Sequence, residues 1–387
     1  MQKIKAGIIG TGYIGISHIE SIRRTGFADL VAVADSNSDL ARKKAEEYYI
    51  PRCYNSIDDL LADPEIQVIH NCTPNFLHAK INEQVIQSGK HLLSEKPLAR
   101  DSEESASLIR SLQKHPGTVA AVNFNYRMNP LVQEIRSRIS RGDIGKVNLA
   151  HGSYLQDWLL YDTDYNWRLE PEICGVSRCI ADIGSHWMDA VQHVTGARIT
   201  EVCADLATVI PVRKKPKTQV ETFSVSKDAE FEEKPIVTED YGAVLFKMDN
   251  GAHGVFFVSE VSAGHGCFFN FEIDGSQASL QWNQQTADQM WMGFRDQDNR
   301  LILRNPNSLT PEAKQISYLA KGHPEGWNDA FTNNIQSFYR YIREGKQPGT
   351  DACSFATFTE ADYIIRLTEA IVESNASRKW VKVRPMA

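Results

Sequence analysis

The chain has no Cys-x-x-Cys pair, no long lysine or arginine run, and no apolar stretch near the ~18 uninterrupted residues that a membrane-spanning helix needs. Met1 leads straight into a short strand with no apolar signal core before it, so the expectation is a soluble, cytoplasmic protein. Its 7 cysteines are scattered and odd in number, which suits reduced core thiols and gives neither a disulfide framework nor the ligand spacing of structural zinc. The formal net charge of −7, with no basic stripe in either half, argues against nucleic acid or anionic lipid as a partner. A Gly-x-x-x-x-Gly-Lys-Ser/Thr loop and a Gly-x-Ser-x-Gly elbow are also missing, which disfavours phosphoryl transfer and serine-type hydrolysis. What remains is ordinary globular composition, and 387 residues suffice for two domains with sizeable cores.

Those residues begin with a strand, Lys3 to Ile9, followed by Gly10-Thr11-Gly12-Tyr13-Ile14-Gly15 at the start of a helix. This is the Gly-x-Gly-x-x-Gly turn in its required setting. Gly10 permits the tight turn, Gly12 clears space where a pyrophosphate meets backbone N–H groups, and Gly15 lets helix and strand pack closely. The next strand, Leu30 to Ala34, ends in Asp35, where a carboxylate accepts the ribose hydroxyls of NAD. NADP is disfavoured, because Asp35 would face its 2′-phosphate and Ser36-Asn37 offers no arginine. Strand and helix signals then alternate, the pattern of a doubly wound parallel sheet, through Val68 to Cys72 and a strand at Val119 to Phe124. Thr73-Pro74-Asn75 and His78 sit at a strand's carboxyl end and are candidates to line the nicotinamide; ordinary turn and capping chemistry is the competing account.

His91 to Arg100 is the stretch around which the chemistry is organised. Leu92 and Leu93 end a buried strand, Asp101 or Ser102 caps the following helix, and Glu95, Lys96 and Pro97 therefore lie at the edge where open α/β sheets bind ligands. The first domain is expected over 1–125. The second, 126–387, is expected to carry a large, mostly antiparallel sheet, with a C-terminal helix able to pack back on the first domain. Its signals are Lys146 onward, the hairpins around Asp249-Asn250-Gly251 and Asp274-Gly275, and an irregular charged excursion from Arg213 to Glu239 at the sheet's edge. One helix, Asp182 to Thr195, buries Ile183, Trp187, Ala190, Val191 and Val194 and leaves Asp182, His186, Asp189 and His193 as a polar stripe. Asp182 and His186 are four apart, so the carboxylate can orient the imidazole; a solvated polar face would read the same way. Gly175 and Gly184 suggest close approach of another backbone or a ligand nearby.

Taken in order, Gly10-x-Gly12-x-x-Gly15, Asp35, Thr73-Pro74-Asn75, Glu95-Lys96-Pro97, Tyr126-Arg127 and Asp182-Ile183-Gly184-Ser185-His186 resemble the Gfo/Idh/MocA oxidoreductases over nearly the whole chain. The resemblance implies an NAD(P)-dependent dehydrogenase of sugars or cyclitols, with Lys96, Asp182 and His186 catalytic. Val176-Ser177-Arg178-Cys179 departs from the small, glycine-rich residues that many relatives have before this helix. Independently of the name, His186 is a natural base for an alcohol proton, and Lys96, from the other domain, favours the alkoxide-like state. Expected cofactor contacts are Gly10, Thr11, Gly12, Tyr13, Ile14, Asp35, Thr73, Pro74, Asn75, His78, Glu95, Lys96 and Asn125. Expected substrate contacts are Lys96, Arg127, Tyr154, Gln156, Trp167, Arg168, Asp182, His186 and His323, a polar and aromatic mixture suited to a sugar. No metal site is expected. The competing readings are a glycosidase that uses NAD transiently and a non-catalytic NAD-binding sensor. Apolar residues on both faces of the hairpins, as in Val255 to Val258, predict a homo-oligomer formed through the second sheet.

Overall fold

The computed structural model describes residues 2–217 and 230–385. The chain divides into two compact units, the first made of 2–128 with Trp327–Ile365, the second of Asn129–Gly326 with Arg366–Pro385. The first unit is therefore discontinuous in sequence.

Its seven-stranded sheet runs in the order Ala356–Thr357, Ala120–Val122, His91–Ser94, Val68–Asn71, Ile4–Ile9, Ala28–Ala34 and Arg52–Tyr54. Six strands are parallel, and Ala356–Thr357 pairs antiparallel with Ala120–Val122. Two of these, Arg52–Tyr54 and Ala356–Thr357, are too short to leave a periodic signature in the sequence. Helix boundaries follow their local chemistry. Asp101 accepts from the Glu103 and Glu104 N–H groups to start Ser102–Lys114, and Gly26, at a φ of 69°, ends Tyr13–Thr25 in the left-handed conformation. The late helix Trp327–Arg343 lies against Tyr13–Thr25 and adds Phe331, Ile335, Phe338 and Tyr339 to the core under the sheet.

The second unit holds a nine-stranded sheet in the order Arg300–Leu303, Gln289–Gly293, Ser279–Asn283, Phe268–Gly275, Val147–Leu155, His253–Ser259, Tyr241–Met248, Ile199–Ala207 and Val381–Lys382. Only Val147–Leu155 with His253–Ser259 is a parallel pair; every other neighbour is antiparallel. One face buries Phe256, Val258, Phe269, Phe271 and Trp282, and the helix Ser185–Thr195 covers it. Trp187 anchors that helix: its ring stacks on Phe256 at 4.6 Å and its indole N–H donates to the Asn270 carbonyl at 3.0 Å. The opposite face leaves Leu149, Leu245, Val255 and Phe257 more than 40% exposed.

Several expectations need correction. The helix expected from Asp182 begins as a π turn, Ile180–Gly184, in which the Ser185 N–H bonds the Ile180 carbonyl, and becomes α-helical only at Ser185. The stripe of His186, Asp189 and His193 is buried, not solvated, and the Gln133 amide meets His193 Nε2 at 2.9 Å. Gly184 does not mark a close backbone approach, since a Cβ there would meet only the Ile180 side chain at ordinary contact distance. Asp274 and Gly275 lie inside a strand, and the turn follows them. The expected irregular excursion instead places Val212–Pro216 and Phe231–Pro235 in a two-stranded antiparallel ladder; the part of it at 218–229 lies outside the described residues. No described helix is long and apolar enough to cross a membrane.

Candidate active site

In the first unit the predicted residues gather at the carboxyl ends of the parallel strands. Gly10 has a φ of 93°, and a Cβ there would sit 2.7 Å from the Cys72 carbonyl oxygen; one on Gly15 would sit 2.5 Å from the Gly10 oxygen. Gly12 differs, because a Cβ there would point into open space. The first two glycines are fixed by packing, and the third leaves the helix N-terminus uncovered for an anion, as a dinucleotide pyrophosphate requires. Asp35 Oδ2 accepts from the Thr11 N–H at 2.7 Å and from the Thr11 hydroxyl at 2.9 Å, while Oδ1 accepts from the Asn37 N–H at 3.0 Å. The carboxylate is thus tied to the glycine turn before any ribose arrives. Tyr13 is exposed beside it.

Thr73 donates its hydroxyl to Asn71 Oδ1 at 2.7 Å, and Asn71, Asn82 and Ser94 continue as a buried polar ladder joining neighbouring strand ends. Pro74 and Asn75 open the helix Asn75–Gln87. His78 links two loops: its Nδ1 lies 2.6 Å from the Pro97 carbonyl and its Nε2 2.7 Å from the Thr73 carbonyl. Burial holds His78 below its ordinary pKa, with the two carbonyls working the other way. Its ring therefore positions the loops that the sequence assigned to the nicotinamide.

Glu95 is buried, and its Oε1 takes the Asn123 amide at 2.6 Å and His18 Nε2 at 2.9 Å. His18 Nδ1 meets His70 Nδ1 at 2.7 Å, and His70 Nε2 meets the Tyr339 hydroxyl at 2.8 Å. One proton serves each contact. With His18 donating to the carboxylate and its other nitrogen accepting, His70 donates through Nδ1 and accepts from Tyr339 through Nε2. Burial keeps His70 far below its usual pKa, which agrees with a neutral ring in that position. Burial also pushes Glu95 upward, but His18, Asn123 and the nearby Lys96 charge outweigh it and hold the acid below its ordinary value. Lys96, the next residue and half-buried, precedes the cis bond to Pro97, and its N–H donates to Glu95 Oε2 at 3.2 Å. Sequence reasoning missed His18, His70, Asn123 and Tyr339. The available signal was His18, a polar residue on the buried stripe of a helix with Gly15, Ile19 and Ile22. Asn125 opens a buried 3-10 turn, and Arg127 in that turn pairs with Glu360 at 2.8 Å.

In the second unit the predicted side chains meet in two groups, Asp182 with Arg168 and Trp167, and Tyr154 with His186 and Gln156. Asp182 Oδ2 lies 3.8 Å from Arg168 Nε, the Arg168 guanidinium lies over the Trp167 ring at 4.4 Å, and the Tyr154 ring lies 6.4 Å from His186. Gln156 donates to the Tyr154 hydroxyl at 3.2 Å. A base candidate, a carboxylate, a guanidinium and two aromatic faces suit a polyhydroxylated ring. His323 is different: it is exposed on a turn that Arg304 grips through the His323 carbonyl, so the fold uses its main chain.

These features define an oxidoreductase. The chain belongs to the Gfo/Idh/MocA family: residues 4–124 match the family model described as "Oxidoreductase family, NAD-binding Rossmann fold", and 132–281 match the GFO/IDH/MocA C-terminal domain. Among curated proteins it is similar to levoglucosan dehydrogenase of Pseudarthrobacter phenanthrenivorans, 28% identical across 99% of both chains. It is also similar to glucose-6-phosphate 3-dehydrogenase of Bacillus subtilis, 25% identical over 86% of each. A solved levoglucosan dehydrogenase in complex with NADH and L-sorbose superimposes with a TM-score of 0.88 at 27% identity, covering 99% of this chain and 100% of that one.

The buried histidines make stability pH-dependent with a definite sign. Between their depressed folded pKa values and ~6.5, the unfolded chain binds protons that His70 and His78 refuse in the fold, so stability falls as pH drops below ~6.5. Each contributes at most ~1.4 kcal/mol per pH unit. Urea midpoints should decline from pH 7.5 to 5.5, and His70→Gln should flatten that slope; a wild-type midpoint that is constant or rises on acidification contradicts the assignment.

Proposed function

We propose that this protein oxidises a secondary hydroxyl of a sugar, glycoside, anhydrosugar or inositol, using NAD. The observation that carries this reading is that Asp182 meets Arg168, which lies over Trp167, while His186, four residues on, lies against the Tyr154 ring. The first unit fits the cofactor: Gly10 to Ile14 would hold the pyrophosphate, Asp35 the ribose, and Thr73, Pro74, Asn75, His78, Glu95 and Asn125 the nicotinamide end. NAD, when bound, supplies the acceptor for the hydride of the carbinol carbon. This chain supplies the rest. His186 takes the hydroxyl proton, Asp182 orients it, and Lys96 stabilises the oxygen as negative charge develops there. Arg127, Tyr154, Gln156, Trp167, Arg168 and His323 are the proposed substrate contacts.

A panel of levoglucosan, D-glucose, D-xylose and myo-inositol, followed by NADH absorbance, tests the activity; failure to accumulate NADH with any free sugar or inositol would count against net dehydrogenation and favour transient redox in a glycosidase. His186→Ala should lower turnover about 10²- to 10⁴-fold, and Lys96→Ala at least comparably. Both should bind NADH nearly as the wild type does in a fluorescence titration. If His186→Ala keeps near-normal turnover across pH, the base is assigned wrongly; if Lys96→Ala loses cofactor affinity as fully as turnover, Lys96 is a binding residue.

Cofactor choice follows from Asp35, whose carboxylate would oppose a 2′-phosphate. Catalytic efficiency should be higher with NAD than with NADP, and Asp35→Ser should narrow the gap; equal efficiencies in the wild type contradict this. The exposed Leu149, Leu245, Val255 and Phe257 on one sheet face support assembly of the chain into a homo-oligomer, with a tetramer as the proposed state. Light scattering at micromolar concentration should give a multiple of the chain mass, and a monomeric mass would refute it.

A further inference from the structure

Behind Asp182 lies a set of ionised side chains for which the dehydrogenase reading has no use. Arg178, Arg213, Asp240 and Glu260 have side chains with no solvent exposure, and Glu239 is buried beside them. Glu239 Oε1 accepts three hydrogen bonds from one turn: the Ser177 hydroxyl at 2.6 Å and the Arg178 and Ile180 N–H groups at 3.0 Å each. The Arg178 guanidinium, on that turn, bridges Asp240 and Glu260. Asp240 also binds Arg213 at 2.8 Å, and Arg213 donates to the carbonyls of Leu159, Tyr161 and Asp164. The network thus holds two pieces of the candidate site. One is the loop leading to Trp167 and Arg168; the other is the turn from which the Asp182 N–H bonds back to the Arg178 carbonyl at 2.7 Å, opening the π turn.

Such a cluster is costly unless every charge is answered. Three carboxylates against two guanidiniums leave one excess negative charge, and Glu260 Oε1 is buried with no hydrogen-bond partner among the described residues. Burial pushes Glu260 up to about 8, against the attraction of Arg178, with Asp182, Glu239 and Asp240 adding repulsion. Ion-pair networks of this kind give geometric definition more readily than net stability. The chain places this one beside an irregular turn, and π turns of this type recur at functional sites.

We infer that Glu239, acting through the Ser177–Ile180 turn that it clamps, is a positioning residue that sets where Asp182 stands relative to Arg168 and His186. The inference rests on the proposed dehydrogenase reading. The Arg178-bearing turn, where the sequence departs from the glycine-rich pattern, is then the place at which this chain substitutes a buried charge clamp for a flexible approach to the helix.

A double-mutant cycle tests it, using Glu239→Gln, Asp182→Asn and the pair, measured on whichever of levoglucosan, D-glucose, D-xylose and myo-inositol the wild type oxidises fastest. Glu239→Gln keeps size and one acceptor oxygen but removes the charge that draws three donors together. It should lower kcat about tenfold, with NADH affinity unchanged; in the Asp182→Asn background it should lower kcat less than about twofold, because the group it positions is already disabled. Additive losses overturn the inference, since a merely structural role costs the same with or without Asp182. If Glu239→Gln does not fold, Ser177→Ala, which removes one of the three donors, carries the same cycle with a smaller loss and the same criterion. An Asp182→Asn enzyme with wild-type turnover refutes the catalytic reading itself, whereas an impaired one with additive behaviour refutes only the clamp.

Discussion

A carboxylate withdrawn from water must be met by donors or give up its charge, and in the first unit that requirement falls on Glu95. Meeting it takes a histidine from the glycine-turn helix, an asparagine from the end of a neighbouring strand, and, at one remove, a histidine from a central strand and a tyrosine from a helix late in the chain. Two segments thus meet on one oxygen, and two more are joined to it in line through His18. The lysine next in sequence inherits that rigidity through its backbone, which a strand-end loop on its own would not give it.

The second unit meets a similar requirement with opposite means. There the buried carboxylates are answered by arginines, whose planar guanidinium can bridge two acids at once and stays charged in an apolar setting. The histidines answer their acid through a line of hydrogen bonds, whereas the guanidiniums bring full charge of their own to the acids they bridge. The first arrangement stiffens a loop, the second ties two loops to a sheet. In both, the residues proposed for a direct chemical task sit one step away from the groups that fix them.

The sequence made legible whatever depends on local chemistry. Gly10 and Gly15 announced themselves because their neighbours leave no room for a Cβ, Asp101 because a capping side chain serves the residues just after it, and Lys96 because a strand end precedes it. Trp187 was legible through its helical spacing. The missed features are those whose causes lie far along the chain. Asp182 was expected on an α-helix, since nothing in Asp182-Ile183-Gly184 betrays a π turn; the segment that leads into the turn is held by Glu239, 59 residues from the nearest N–H it accepts. His18 bonds His70 across 52 residues, and His70 bonds Tyr339 across 269. Arg213 read as part of a charged surface excursion because composition cannot distinguish a solvated arginine from one satisfied by carbonyls of a distant loop. His323, chosen for residue type, serves the fold through its carbonyl.

The first unit is closed by a segment synthesised after nearly all of the second. Tyr339, Phe331 and the edge strand Ala356–Thr357 all come from Trp327–Ile365. On a ribosome, the glycine turn, Asp35 and the Lys96 strand emerge early, yet His70 lacks its hydroxyl partner and one flank of the core stays open until Trp327–Ile365 is made. The dinucleotide unit therefore cannot mature in N-to-C order, and a nascent chain stalled before Trp327 would hold a complete glycine turn on an incomplete scaffold. The scaffold that carries the glycine turn is in this way tied to synthesis of Trp327–Ile365, so that a product cut short before it is poorly built to sequester NAD.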